Sequence, residues 1–192
     1  MSRLFILALL GSMLAIPAVA QERPEANPAN PLSTWLRQVY MGNQRNIVRS
    51  AEKMPEEDYG MRPGTQQEVR TFGQQLGHIA DYNFLWCSQA KGEKNPNAGK
   101  NLEKLSTKEE FVKALNDAFS YCNSAYESLT DASGMEQVDI TQESGRQTRN
   151  TRFALLILNV VHNNEVYGSM VTYMRMKDIV PASSEPRPQQ KK

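Results

Sequence analysis

Nine consecutive residues, Phe153 to Val161 (FALLILNVV), contain one polar side chain, Asn159. A helix apolar on all sides has to be covered by neighbours, so this stretch demands a packed core of other helices. Three further segments carry a helical period. Leu32, Trp35, Leu36, Val39, Ile47 and Ala51 recur at spacings of three and four, which predicts a first helix over 32–53, stopped by Pro55. Phe72, Leu76, Ile79 and Trp86 predict a second over 71–91. Phe111, Leu115, Phe119, Cys122, Tyr126 and Leu129 predict a third, opened by a capping box of Ser106 and Glu109. The fourth extends over 151–177 with Asn150 as its N-cap, and Pro181 follows it. No segment reads as a convincing strand.

The fold class expected is therefore all-α, a four-helix bundle. Its connections of about 17, 15 and 20 residues exceed the roughly 2–8 that tight helical hairpins need, so some can run back along a helix. Cys87 lies near the end of the second helix and Cys122 two-thirds along the third. Parallel second and third helices would bring the two level; an antiparallel hairpin would not. An even cysteine count in an oxidising compartment suits one disulfide, the alternative being two buried thiols acting as apolar filler.

That compartment is inferred from residues 1–20, MSRLFILALLGSMLAIPAVA: a basic residue near the start, an apolar stretch from Leu4 to Ile16, Pro17, then small residues at a cleavage site. This reads as a secretory signal, with the mature chain starting at Gln21, exported to the periplasm and carrying no membrane segment. Residues 21–31 (QERPEANPANP) read as a disordered leader, 32–180 as the bundle and 181–192 as a disordered tail. Cleavage removes Arg3 alone from 22 basic and 21 acidic residues, leaving no net charge. Nucleic acid is not an expected partner, because no basic patch is present. A small-molecule ligand and a second copy of the chain are the partners left open.

The chain has two histidines, His78 and His162, each within a helical segment. Two imidazoles on two helices can converge on a metal in a bundle core. Asp81, one turn beyond His78, is placed to accept from its ring and orient it. Glu165, three residues beyond His162, offers a carboxylate on nearly the same face. A hydrogen-bonded core histidine is the plainer alternative at both positions. Haem is not expected: Met170 and Met174 follow His162, but no CxxCH occurs. Nor is there a G-x-S-x-G or a P-loop.

The segments RTFGQQLGHIAD (70–81), HNNEVYGSMVTYMRMKDIVPASS (162–184) and AEKMPEEDYGMRPG (51–64) resemble the DinB/YfiT-like family of metalloenzymes, in order and spacing, over about 32–184. The resemblance implies an up-down-down-up bundle and a divalent metal, such as nickel or zinc, on three histidines. His78 matches the one on the second helix. His162 matches the first of an H-x-x-x-H pair followed by Tyr-Gly, here Tyr167-Gly168. Val166 stands where the second of that pair belongs. Asp178 stands where relatives often have a helix-closing glycine. The site expected is thus degenerate, and the chain a binding module without catalysis. The alternative is a metal-dependent enzyme of thiol-transferase or hydrolase type, with Glu165 or Asp81 replacing the lost ligand.

Overall fold

The structure, a computed structural model, describes residues 29–142 and 144–186. The expected signal, most of the leader and residues 187–192 lie outside them. Four long helices make up the bundle: α1 (Pro31–Lys53), α2 (Phe72–Lys91), α3 (Lys108–Glu127) and, after a single-turn α4 (Asp131–Gly134), α5 (Arg152–Arg175). Their caps sit one residue from where the sequence pattern put two of them. Thr107 and Glu110, not Ser106 and Glu109, form the capping box of α3, and Thr151, not Asn150, caps α5. Either neighbour has the right chemistry; the register of the buried face decides between them.

Helix directions follow from the contacts. Arg37 near the start of α1 meets Glu127 at the end of α3, 3.4 Å apart. Lys108 at the start of α3 donates to the carbonyls of Glu52 and Met54 at the far end of α1, 2.8 Å each. α1 and α3 are antiparallel. Gly73 faces the Phe111 ring at the starts of α2 and α3, and Cys87 is disulfide-bonded to Cys122 near their ends, with Cα atoms 5.3 Å apart. α2 and α3 are parallel. Arg152 Nε donates to the Ala90 carbonyl at 2.7 Å, while Tyr173 at the other end of α5 donates to Arg70 O. α5 is therefore antiparallel to α2, and the topology is up-down-down-up. Ile47, Met54, Phe72, Leu76, Ile79, Leu115, Phe119, Leu156, Met170 and Met174 fill the centre.

Three features depart from the sequence reading. The α3–α5 link holds a hairpin, β1 (Gln137–Thr141) and β2 (Gln147–Thr151), antiparallel with Gln137 opposite Thr151. β1 does alternate, but over five residues with only Val138 and Ile140 apolar, and β2 has no apolar residue to answer it, so the hairpin did not stand out. Second, α5 is not covered all round: Ile157, Leu158 and Val161 are 47%, 47% and 55% exposed. α5 packs on α1 and α2, which leaves its outer face open. Third, residues 181–186, expected to begin a loose tail, are docked. Ala182 is buried, Ser183 pairs with the Tyr167 hydroxyl at 3.0 Å, and Glu185 takes Arg49 and Lys53. At the other end, Pro31 already belongs to α1, and Asn30 Oδ1 accepts from Asp131 N at 2.9 Å. Among the described residues no helix is long and apolar enough to cross a membrane.

Candidate functional site

His78 lies in the second turn of α2. That helix starts at a capping box in which Thr71 and Gln74 satisfy each other's amides. One residue before the histidine, Gly77 lets the backbone of a 3-10 turn, Leu102–Lys104, press against the helix: a Cβ there would lie 2.6 Å from the Leu102 carbonyl carbon and 2.7 Å from Glu103 N. The close approach delivers Glu103, whose Oε1 sits 2.8 Å from His78 Nδ1 while Oε2 takes Arg70 Nε at 3.0 Å. Asp81 does not orient the ring, contrary to expectation. Its two oxygens accept from Asn97 Nδ2 at 2.6 Å and Leu102 N at 3.0 Å, so it holds the loop that carries Glu103. Burial raises the Asp81 pKa.

His162 arrives from α5. The register between α2 and α5 is set by a buried amide rung: Asn159 and Asn163 both donate to Asn83 Oδ1, at 2.6 and 2.9 Å. His162 then meets His78 with Nε2 to Nε2 at 3.1 Å. Tyr82 and Trp86, one and two turns beyond His78, pack on the His162 ring at centroid distances of 4.8 and 4.9 Å. Burial first, and His78 second, lower the His162 pKa from 6.5 to about 4, so the ring is neutral at neutral pH.

With both rings neutral, one arrangement of the hydrogens meets these contacts. A carboxylate against Nδ1 keeps a proton on that nitrogen of His78, so a neutral His78 turns an Nε2 lone pair toward its partner. His162 then supplies Nε2–H, and the pair closes as an N–H···N hydrogen bond. This leaves His162 Nδ1 a bare acceptor, and it is buried without a partner, as is Asn163 Oδ1 on the next residue.

Two imidazole nitrogens 3.1 Å apart also suit two ligands of one ion at metal–nitrogen distances of roughly 2.1 Å. The donor count does not suit one. Val166 is 7% exposed and belongs to the apolar core, and Glu165, an expected substitute ligand, is exposed on the helix surface. Among the described residues no group of three His, Cys, Asp or Glu side chains is placed to hold a metal. The residues present do not fit a resident three-ligand metal.

A family model, the DinB superfamily, matches residues 41–165. The chain belongs to the DinB superfamily. No curated protein sequence matches it. The match takes in both histidines and stops one residue short of Val166, and the bundle described above is the helical fold the resemblance implied. In this DinB-superfamily chain, Arg70, Glu103, Asn83, Tyr82 and Trp86 complete the surroundings of the histidine pair, and sequence reasoning missed all five as site residues. Glu103 sits in a loop 25 positions from His78, with no local pattern to mark it. Tyr82 and Trp86 carried a usable signal, since they follow His78 at intervals of four.

Proposed function

We propose that this chain is an exported DinB-superfamily binding protein whose ancestral metal site has become a metal-free, hydrogen-bonded histidine pair, and that it binds a small molecule without catalysing a reaction. The observation that carries the reading is Val166, buried among apolar side chains where the third donor would stand. Two imidazoles alone leave a divalent ion under-coordinated. Closing on each other by a hydrogen bond gives both rings a partner for one nitrogen at no cost in charge.

A second reading, a metal-dependent enzyme of thiol-transferase or hydrolase type on His78 and His162, has one observation in its favour. With both Nε2 atoms facing an ion, His162 would carry its hydrogen on Nδ1, beside the unpaired Asn163 Oδ1, and two orphaned atoms would be satisfied together.

Metal content of the mature protein after mild purification, with His78→Ala and His162→Ala alongside, decides between them. The first reading expects no stoichiometric metal and weak uptake of added nickel or zinc. It also expects Val166→His to raise that affinity at least tenfold by restoring a third donor. Near-stoichiometric metal in the wild type, lost in both alanine variants, would overturn it. N-terminal sequencing of the exported protein tests the start at Gln21.

A further inference from the structure

A cavity lies beside the histidine pair and shares Tyr82 and Trp86 with it, and neither the family match nor the histidine site assigns it. It occupies about 460 Å³ between α2, the hairpin and the first half of α5, within the size range of small-molecule sites. Leu85, Trp86, Ile140, Leu155 and Leu158 form an apolar lining. The groups around its edge, Thr141, Gln142, Thr148 and Asn150, are polar but uncharged. The one charged lining residue, Arg149, already holds Asp139 at 3.2 Å. Gln89 also lines the cavity: its Nε2 is tied to the Thr141 carbonyl at 3.0 Å, which fixes the amide, while its Oε1 is buried with no hydrogen-bond partner. That oxygen is closed off from the cavity as well as from solvent, so the cavity offers a ligand apolar contact inside an uncharged polar rim.

We propose that this cavity is the ligand site of the protein, and that it takes a small uncharged molecule with an aromatic ring. The ring would lie against Trp86 and Leu158, a leucine 47% exposed. Because Trp86 and Tyr82 also pack on His162, the bound molecule rests on the same two rings that wall in the histidine pair. The proposal rests on the binding-protein reading above, and it names where that ligand sits and its class. The polar cleft at His78 is a poorer candidate, since its acidic groups Asp81 and Glu103 are already paired within the protein.

The test uses the full mature chain and 4-(trifluoromethyl)benzyl alcohol as probe, followed by fluorine NMR, with metal content measured on the same sample. Saturable binding in the millimolar range or tighter is expected. Leu158→Arg, a change at a half-exposed position, and Ala154→Phe, which fills the cavity from α5, should each weaken it about tenfold or more. The corresponding benzoate, which brings a charge to a cavity whose only cation is already paired, should bind about tenfold more weakly than the alcohol. No saturable binding, or binding unchanged in both cavity variants while they remain folded, would overturn the assignment. Stoichiometric metal together with cavity-dependent probe binding would sink the metal-free reading and leave the cavity standing. A metal-free protein that ignores the probe would do the reverse.

Discussion

Gly77→Ala isolates the contact on which the histidine site depends. By helix propensity alone the change should help, since Gly in a helix interior is about 1 kcal/mol worse than Ala. Position 77 is not free to accept a methyl group. The added Cβ would stand 2.6 Å from the Leu102 carbonyl carbon, 2.7 Å from Glu103 N and nearer still to the Leu102 oxygen, and ordinary contact begins at 3.4 Å, so the turn has to retreat by roughly 1 Å. A retreat of that size takes Glu103 Oε1 from 2.8 Å to beyond hydrogen-bond distance of His78 Nδ1, and Leu102 N likewise from its 3.0 Å bond to Asp81. Each is a hydrogen bond to a charged group, worth about 1.5–3 kcal/mol. Set against the propensity gain, the net loss is about 2–5 kcal/mol. Urea unfolding reads the stability, and nitrogen NMR of the imidazoles reads whether Nδ1 of His78 keeps its hydrogen. A variant as stable as the wild type or about 1 kcal/mol more stable, with the His78 signals unmoved, would refute the reasoning.

Asp178 is the one described non-glycine residue with positive φ, at 57°; Asp178→Gly should therefore stabilise the protein by about 0.5–1 kcal/mol, seen as a raised Tm. Removing the Cys87–Cys122 bridge, by reduction or a double serine variant, should cost about 4 kcal/mol, given 35 residues of separation; two reactive thiols in the denatured, unreduced protein from the oxidising compartment would contradict the bridge itself. Burial pushes the His162 pKa down to about 4 in the folded chain, against 6.5 for a solvated imidazole. Between those values the unfolded chain binds the proton that the native one refuses, so stability is full above about pH 6.5 and falls as the pH drops toward 4. His162→Gln should flatten that part of the stability–pH curve; an unchanged slope would show that His162 does not titrate as a buried, neutral ring.

The helices were legible because each writes its buried face locally, at intervals of three and four, and ends at a proline, a glycine or a capping hydroxyl. Even the parallel pairing of α2 and α3 could be approached from sequence, through long links and the heights of Cys87 and Cys122. The hairpin could not. With β2 carrying only polar side chains, its strands exist because the chain between α3 and α5 finds helices to lean on. The two histidines were legible as residue types on helices, and Val166 as a departure from the family pattern.

What surrounds them was not legible, because it depends on which loop lands beside which helix. Asp81 looked like the orienting carboxylate at one turn's distance from His78, yet it is drawn to Asn97 and Leu102, and Glu103 takes the ring instead. The sequence determined the helices, their approximate ends and the absence of a third histidine, since all three are properties of local pattern or of composition. The tertiary structure decided that the two imidazoles meet at 3.1 Å, that a glycine admits the turn bearing their partner, and that α5 keeps an apolar face in solvent. Those outcomes are set by contacts between residues far apart in the chain, and no local pattern encodes a distance across a bundle.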